Sequence, residues 1–477
     1  MLFSSLLFLF LFLPLVIPFS LIRHVRLQNY ILLLASLVFY AWGGVSYTLI
    51  MIISILLNYA CGLLISRSER TSKTFLITGI IFNLGMLGVF KYLNFLVGTY
   101  NEIFPFHPVK QTHIALPIGI SFFTFHGLSY IIDVYRKKFP AQKDLSILAL
   151  YITLFPQLIA GPIIRYKDIY TQFIDRKNSS AKFAYGIKRF IIGLGKKVII
   201  ANTFASIADS IFSLQPGSLN FSLAWLGIIS YTIQIYFDFS GYSDMAIGIG
   251  RMFGFRFPEN FNLPYIAQSI QEFWRRWHIS LSTWFRDYLY IPLGGNQERA
   301  SKTFRNLVTV FFLCGLWHGA SWTFVIWGLY HGLFLVAERL GWKNILNKAP
   351  KILRHIYTLL VVMIGWVFFR ADSFGHAIAF IGSMFSFTKD AGFNYAVYYL
   401  NNEVILYFVL ALFFATSLPK MTYLWLKKFV VAIPGRPKRI FNTVQYLLLS
   451  TSLLGIFVMA VLALATSSYN PFIYFRF

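Results

Sequence analysis

Two histidines stand in surroundings where a histidine is costly to keep. His318 lies in Cys314-Gly-Leu-Trp-His-Gly-Ala-Ser-Trp322, inside an apolar stretch and flanked by small residues and two indoles. An imidazole that titrates near neutrality can take a proton from a hydroxyl and hand it on, a role worth about 10²–10⁴-fold in rate. The same surroundings also suit a neutral ring that hydrogen-bonds two helices. His278 stands in Glu272-Phe-Trp-Arg-Arg-Trp-His-Ile-Ser-Leu-Ser282, where Trp274, His278 and Ser282 share one face if the segment is a helix. That face is either a second polar wall of a reaction cavity or part of an interfacial amphipathic helix with Trp and Arg at headgroup level. Asp238 and Asp244, in Tyr236-Phe-Asp-Phe-Ser-Gly-Tyr-Ser-Asp244, orient a proton relay or pair with Arg251, Arg275 or Arg276. Pairing is the favoured reading, because buried charges are usually paired. His331, in Leu329-Tyr-His-Gly332, reads as a packing or hydrogen-bonding residue rather than a second base.

Other chemistries lose their support. The sequence has no G-x-x-x-x-G-K phosphate loop, no G-x-S-x-G elbow, no H-E-x-x-H and no D-x-D pair. Its two cysteines, Cys61 and Cys314, both sit in apolar runs and offer neither a disulfide framework nor a thiolate metal site, so no metal is expected.

The elements that must position these residues are membrane helices. Apolar residues make up 57% of 477 positions and charged ones 12%, with mean hydropathy +0.64, above the roughly 45–50% apolar share of soluble domains. Runs near the ~20 residues needed to cross the hydrocarbon core recur from end to end, on the order of ten to thirteen by length. The run Leu2–Ile22 lacks a basic start and an A-x-A-like site and is read as a retained span. Forty-two basic residues against 17 acids give +25. Cytoplasmic loops collect Lys and Arg, so topology and lipid headgroups account for most of that excess and no nucleic-acid partner is inferred.

The basic loops set an orientation. Arg23 and Arg26, then Arg67, Arg70 and Lys73, then Arg136, Lys137, Lys138 and Lys143 are each separated by two apolar segments, which puts these loops in the cytoplasm. Leu145–Ile164 breaks the alternation, because the basic stretch from Arg165 to Arg189 follows it and should be cytoplasmic too. Pro156 and Gly161-Pro162 lie in its second half, so a broken or re-entrant helix beside an internal cavity is expected. Val308–Val336 also joins two basic regions and is short for two crossings. It should be bent or strongly tilted, with Gly315, Gly319 and Gly328 giving it room. The region Arg251–Arg305 carries more Arg and Lys than acids, Glu298 among the latter, and should face the cytoplasm. With no repeat or linker visible, one membrane domain over 1–477 is expected.

Longer blocks carry a resemblance. GISFFTFHGLSYIIDVYR from Gly119, QLIAGPIIRY from Gln157, YFDFSGYSDMAIGIGRMFGFRFPENFNLPY from Tyr236, EFWRRWHISLSTWFRDYLYIPLGGN from Glu272, RNLVTVFFLCGLWHGASWTF from Arg305, GWVFFRADS from Gly365 and NPFIYFRF from Asn470 resemble the membrane-bound O-acyltransferase family, in its alginate O-acetylation branch. The likeness covers most of the chain from Gly119. It implies an all-α polytopic membrane protein, a ring of tilted transmembrane helices with re-entrant helices around a central tunnel. It also implies that His318 is catalytic and that His278 is a second site residue. The implied reaction moves an acyl group, taken as acetyl, from a cytoplasmic thioester such as acetyl-CoA, used as a substrate rather than a bound cofactor. The acceptor would be an exported polysaccharide, reached directly or through an extracytoplasmic acetyltransferase partner, in a bacterial inner membrane. Arg275 and Arg276, close to His278, have the guanidinium forks that suit coenzyme A phosphates. D-alanyl transfer to teichoic acid and a non-enzymatic polysaccharide transporter are the alternatives. Transporters commonly have two related halves, which this sequence does not display.

Overall fold

The computed structural model describes residues 1–112, 114–297, 299–387, 395–431 and 438–476, so Glu298 and Phe477 lie outside the described residues. Those residues form helices and loops, with no strand among them. Five helices are long and apolar enough to cross a membrane: Val45–Arg67, Glu69–Ile103, Ser180–Phe212, Lys351–Arg370 and Thr443–Thr466. A bent pair, Asn402–Phe414 with Leu418–Lys428, makes a sixth if it is one span. This is fewer than the ten to thirteen apolar runs, because a run of apolar residues need not be one helix. Ile120–Tyr135 and Trp322–Ala337 have 16 residues each and Leu145–Thr153 only nine. At 1.5 Å per residue the last rises about 14 Å, under half of a ~30 Å hydrocarbon core.

The helix Phe221–Met252 runs through the interior with almost every residue after Gly227 buried. It carries Gln234, Asp238, Ser243 and Asp244 into protein rather than lipid, which lowers its hydropathy below that of a lipid-facing span. Ser180–Gly195 lies directly against it. A Cβ added at Gly193 would meet the Gly241 carbonyl oxygen at 2.5 Å, so these backbones touch only because both positions are bare.

Both sequence anomalies have structural counterparts. After Thr153 the helix breaks at Leu154, a short turn Phe155–Leu158 contains Pro156, and irregular chain follows to Arg165. Protein groups satisfy that irregular backbone. The Phe155 N–H donates to Ser36 Oγ at 3.1 Å, the Ile163 N–H to Ser280 Oγ at 2.9 Å, and the Tyr151 hydroxyl to the Ile164 carbonyl at 2.9 Å. The loops on either side of the segment converge on Asp287. Arg165 and Lys167 reach its carboxylate at 2.5 and 3.2 Å, Arg286 joins at 2.8 Å, and Arg136 donates to its backbone carbonyl at 2.9 Å. Burial raises the Asp287 carboxyl, but hydrogen bonds from Arg286 and Lys167 more than offset it and leave the group below the usual carboxylate range. The loops that flank the segment thus meet at one carboxylate, as the re-entrant expectation requires. Cysteines placed at Lys138 and Lys177, in a background lacking Cys61 and Cys314, are therefore expected to react with an impermeant maleimide from the cytoplasmic face only. Labelling from opposite faces would mean that Leu145–Ile164 crosses the bilayer.

The second anomaly is a helical hairpin. Ala300–His318 turns through Gly319–Ser321 into Trp322–Ala337, and the Ser321 side chain accepts the Thr323 N–H at the new helix start. The two arms are in backbone contact. A Cβ at Gly315 would sit 2.4 Å from the Phe324 carbonyl oxygen, and one at Gly328 only 2.2 Å from that of Phe311. The expected bend is a full reversal, and His318 is at its tip.

Candidate active site

His318 is the last residue of its helix, 5% exposed and boxed by aromatic rings. Ring centroids of Trp317, Trp327 and Phe369 lie 4.8, 5.0 and 5.2 Å from it. A helix end leaves its last four carbonyls without intrahelical donors, which in an apolar setting is expensive. Here all four are taken. The Gly319 N–H donates to Gly315 at 3.3 Å and the Tyr92 hydroxyl to Leu316 at 2.7 Å. Lys91 Nζ donates to Trp317 at 2.5 Å and to His318 at 3.3 Å.

His278 is fully buried, and its ring centroid lies 6.5 Å from that of His318. It is not in mid-helix. The helix Ile270–Arg276 ends before it, and His278 takes φ 42°, ψ 55° as the residue that starts Ile279–Phe285. The expected shared face of Trp274, His278 and Ser282 is thus corrected: a left-handed residue breaks the helix, although the Ser282 hydroxyl still reaches the Trp274 carbonyl at 3.3 Å. A non-glycine residue in this region is strained and persists only when neighbours hold it. Asn260 does so. Its backbone carbonyl accepts the Ile279 N–H at 2.9 Å, and its Oδ1 faces His278 Nδ1 at 3.0 Å and the Ser280 N–H at 3.3 Å. A backbone N–H can only donate, so that side-chain atom is an acceptor and His278 Nδ1 must carry the proton. Nε2 is left as the ring's acceptor.

The two aspartates are paired, though not with the arginines named from sequence. Asp238 meets Lys197 at 2.8 Å, both 1% exposed, and Asp244 meets Arg189 at 2.7 Å and Lys196 at 2.8 Å. Arg276 is held by Glu272 at 2.9 Å and the Asn262 carbonyl at 3.0 Å, whereas Arg275 is exposed. The break at His278 also means that neither shares a helical turn with it. His331 is buried against Trp274, Trp327 and Tyr330, at 5.2–5.3 Å between ring centroids, as a packing residue would be.

Cavities lie beside the helices that carry these residues. One of about 1150 Å³ is lined by Arg275, Arg286, Arg339 and Lys343 together with Ser282 and Cys314. A second of about 510 Å³ shares Arg275 and Lys343 with it and adds Arg276 and Arg354. Glu338 lines the first and ties down the helix bearing these arginines, accepting the Ile270 and Gln271 N–H groups at 2.6 and 3.0 Å. A separate cavity of about 150 Å³ is lined by Lys91, Gly119, Ser121, Trp317, His318 and Tyr474.

Sequence reasoning missed three of these residues. Lys91 was legible as a lone cation in an apolar run, a pattern that marks function by default. Asn260, in a polar loop, and Tyr474, in the C-terminal tail, carried no such signal.

An apolar helical bundle that buries two neighbouring imidazoles, one of them on the wall of a cavity, is the frame in which the histidines sit. Comparison with known proteins defines the family. The chain matches the MBOAT, membrane-bound O-acyltransferase, family over residues 63–375. It is 51% identical to the probable alginate O-acetylase AlgI of Pseudomonas aeruginosa over 81% of this chain and 75% of that one. It is 43% identical to the probable alginate O-acetylase AlgI of Azotobacter vinelandii over the whole of both chains. It is also 40% identical to the peptidoglycan O-acetyltransferase of Helicobacter pylori over 80% of each. The chain belongs to the membrane-bound O-acyltransferase family and is a multi-pass membrane O-acyltransferase.

Proposed function

We propose that this enzyme O-acetylates an exported or cell-envelope polysaccharide in a bacterial inner membrane, drawing acetyl groups from a cytoplasmic thioester, acetyl-CoA. An extracytoplasmic acetyltransferase partner completes delivery to the polymer. The relatives named for alginate and peptidoglycan O-acetylation support this acceptor class and this group. One observation carries the reading: the end of a single helix borders two cavities. Cys314, one turn before His318, lines the large basic cavity, and His318 lines the small one. The basic cavity suits the phosphates of the donor. The small one suits a hydroxyl arriving from the other side.

A thioester is already activated, so alignment and removal of one proton suffice. The acceptor oxygen attacks the thioester carbonyl carbon, the C–O bond forms and the C–S bond breaks. His318 takes the hydroxyl proton and the thiolate leaves as coenzyme A. His278, with Nδ1–H committed to Asn260, keeps Nε2 as a hydrogen-bond acceptor beside His318, for a donor other than the proton that His318 removes.

The test uses sealed vesicles of known orientation with labelled acetyl-CoA on one side. Transfer is expected only from the cytoplasmic side, and transfer driven only from the external side would overturn the direction. Arg275→Gln should raise KM for acetyl-CoA more than it lowers kcat, because a phosphate contact is alike in ground and transition states. Arg276→Gln should do less, since Glu272 already occupies that guanidinium. An unchanged KM in both variants removes these arginines from the donor site.

A further inference from the structure

We propose that Lys91 is a positioning residue for the transfer reaction, fixing His318 by completing the end of its helix. The inference rests on the reading of His318 as the base. Lys91 belongs to the apolar span Glu69–Ile103, where a lysine is costly unless something requires it. The span is locally underwound there, in a π-helical stretch Gly88–Tyr92, and such bulges gather at functional sites. The wider turn turns two consecutive residues, Lys91 and Tyr92, toward one target.

That target is the last turn of the His318 helix. Lys91 and Tyr92 between them take the Leu316, Trp317 and His318 carbonyls, and Lys91 Nζ also reaches Ser121 Oγ at 3.5 Å. All three ammonium hydrogens thus have acceptors. Among the described residues no carboxylate is paired with Lys91, so the negative end of the helix dipole is what its charge faces. A cation placed in this way draws the helix terminus toward the Glu69–Ile103 span and sets where the imidazole-bearing backbone stops. Because Gly319 turns away immediately in extended conformation, nothing after His318 in the chain continues the helix to hold it. Lys91 also lines the small cavity that His318 lines.

The chemical consequence is a rate effect without a donor-affinity effect. A displacement of about 1 Å at a reacting group costs on the order of 10²-fold. Lys91→Met keeps the length and apolar stem but removes charge and donors. Expected are a kcat lower by roughly 10–100-fold per folded protein and a KM for acetyl-CoA within about twofold of the parent. Lys91→Arg should recover part of the rate, because a guanidinium can again donate to two carbonyls. Tyr92→Phe should cost less than Lys91→Met, and the double variant less than the product of the two, since both act on one helix end. Folded protein is quantified by size-exclusion profile, and His318→Ala is measured alongside. A parent-like kcat for Lys91→Met, or no recovery in Lys91→Arg, overturns the inference while a dead His318→Ala leaves the base assignment standing. Activity retained in His318→Ala sinks both.

Discussion

His318→Ala is expected to abolish acyl transfer, a loss of at least 10²–10⁴-fold, while the protein still accumulates in the membrane. The ring is boxed by Trp317, Trp327 and Phe369, which remain in contact with other rings when it is removed, among them Trp327 with Trp366 and Phe369 with Phe324. The hairpin itself is held by backbone contact at Gly315 and Gly328, not by the imidazole. Rate should therefore fall far more than folding. The measurement is the ester-linked acetyl content of envelope polymers in a deletion strain carrying the variant, normalised to membrane-inserted protein. Retained ester content refutes the assignment. His278 needs a different substitution, because alanine at φ 42° adds backbone strain to the loss of the ring. Asparagine tolerates that conformation. His278→Asn is expected to lower transfer less completely than His318→Ala, and activity equal to the parent would make His278 a structural residue.

Much of this arrangement was legible in the chain. Prolines at 156 and 162 between two basic loops announced the break after Thr153, because charge fixes sides and proline forbids a continuous helix. Glycines at 315 and 328 announced close packing of the segment that carries His318. What the sequence could not convey was long-range pairing. Nothing local tells that Asp238 pairs with Lys197 rather than with Arg251, or that Asn260 in a loop fixes the His278 tautomer. Periodicity also misled at His278: Trp274, His278 and Ser282 have helical spacing, but the backbone spends one residue in the left-handed region between them. That reversal depends on Asn260, eighteen positions away, whose backbone and side chain both grip the turn.

The C-terminal tail supplies the second large effect. Asp238 and Lys197 form an ion pair at 2.8 Å with each 1% exposed, and each partner also holds the tail. Asp238 Oδ2 accepts the Ile473 N–H at 2.9 Å, and Lys197 Nζ donates to the Pro471 carbonyl and, at 2.9 Å, to Asn202. Asn470 donates to the Ser4 carbonyl at 2.8 Å, joining the two ends of the chain. So anchored, the tail places Tyr474 against Phe239 and Phe122, at 5.2 and 5.3 Å between ring centroids, where it lines the His318 cavity. Asp238→Asn strands the Lys197 ammonium in a buried site, and breaking one side of a buried pair costs about 3–5 kcal/mol. Replacing both partners by apolar residues of similar size is often close to neutral. Asp238→Asn should therefore lower thermal stability in detergent markedly, and Asp238→Leu with Lys197→Met should recover most of it. Activity should not return with stability, because the double variant has neither the acceptor for Ile473 nor the donor for Pro471, and the cavity wall at Tyr474 is no longer fixed. If the single variant melts with the parent, the pair does not hold this end of the protein. If the stable double variant transfers acetyl groups at the parent's rate, the tail is not part of the site.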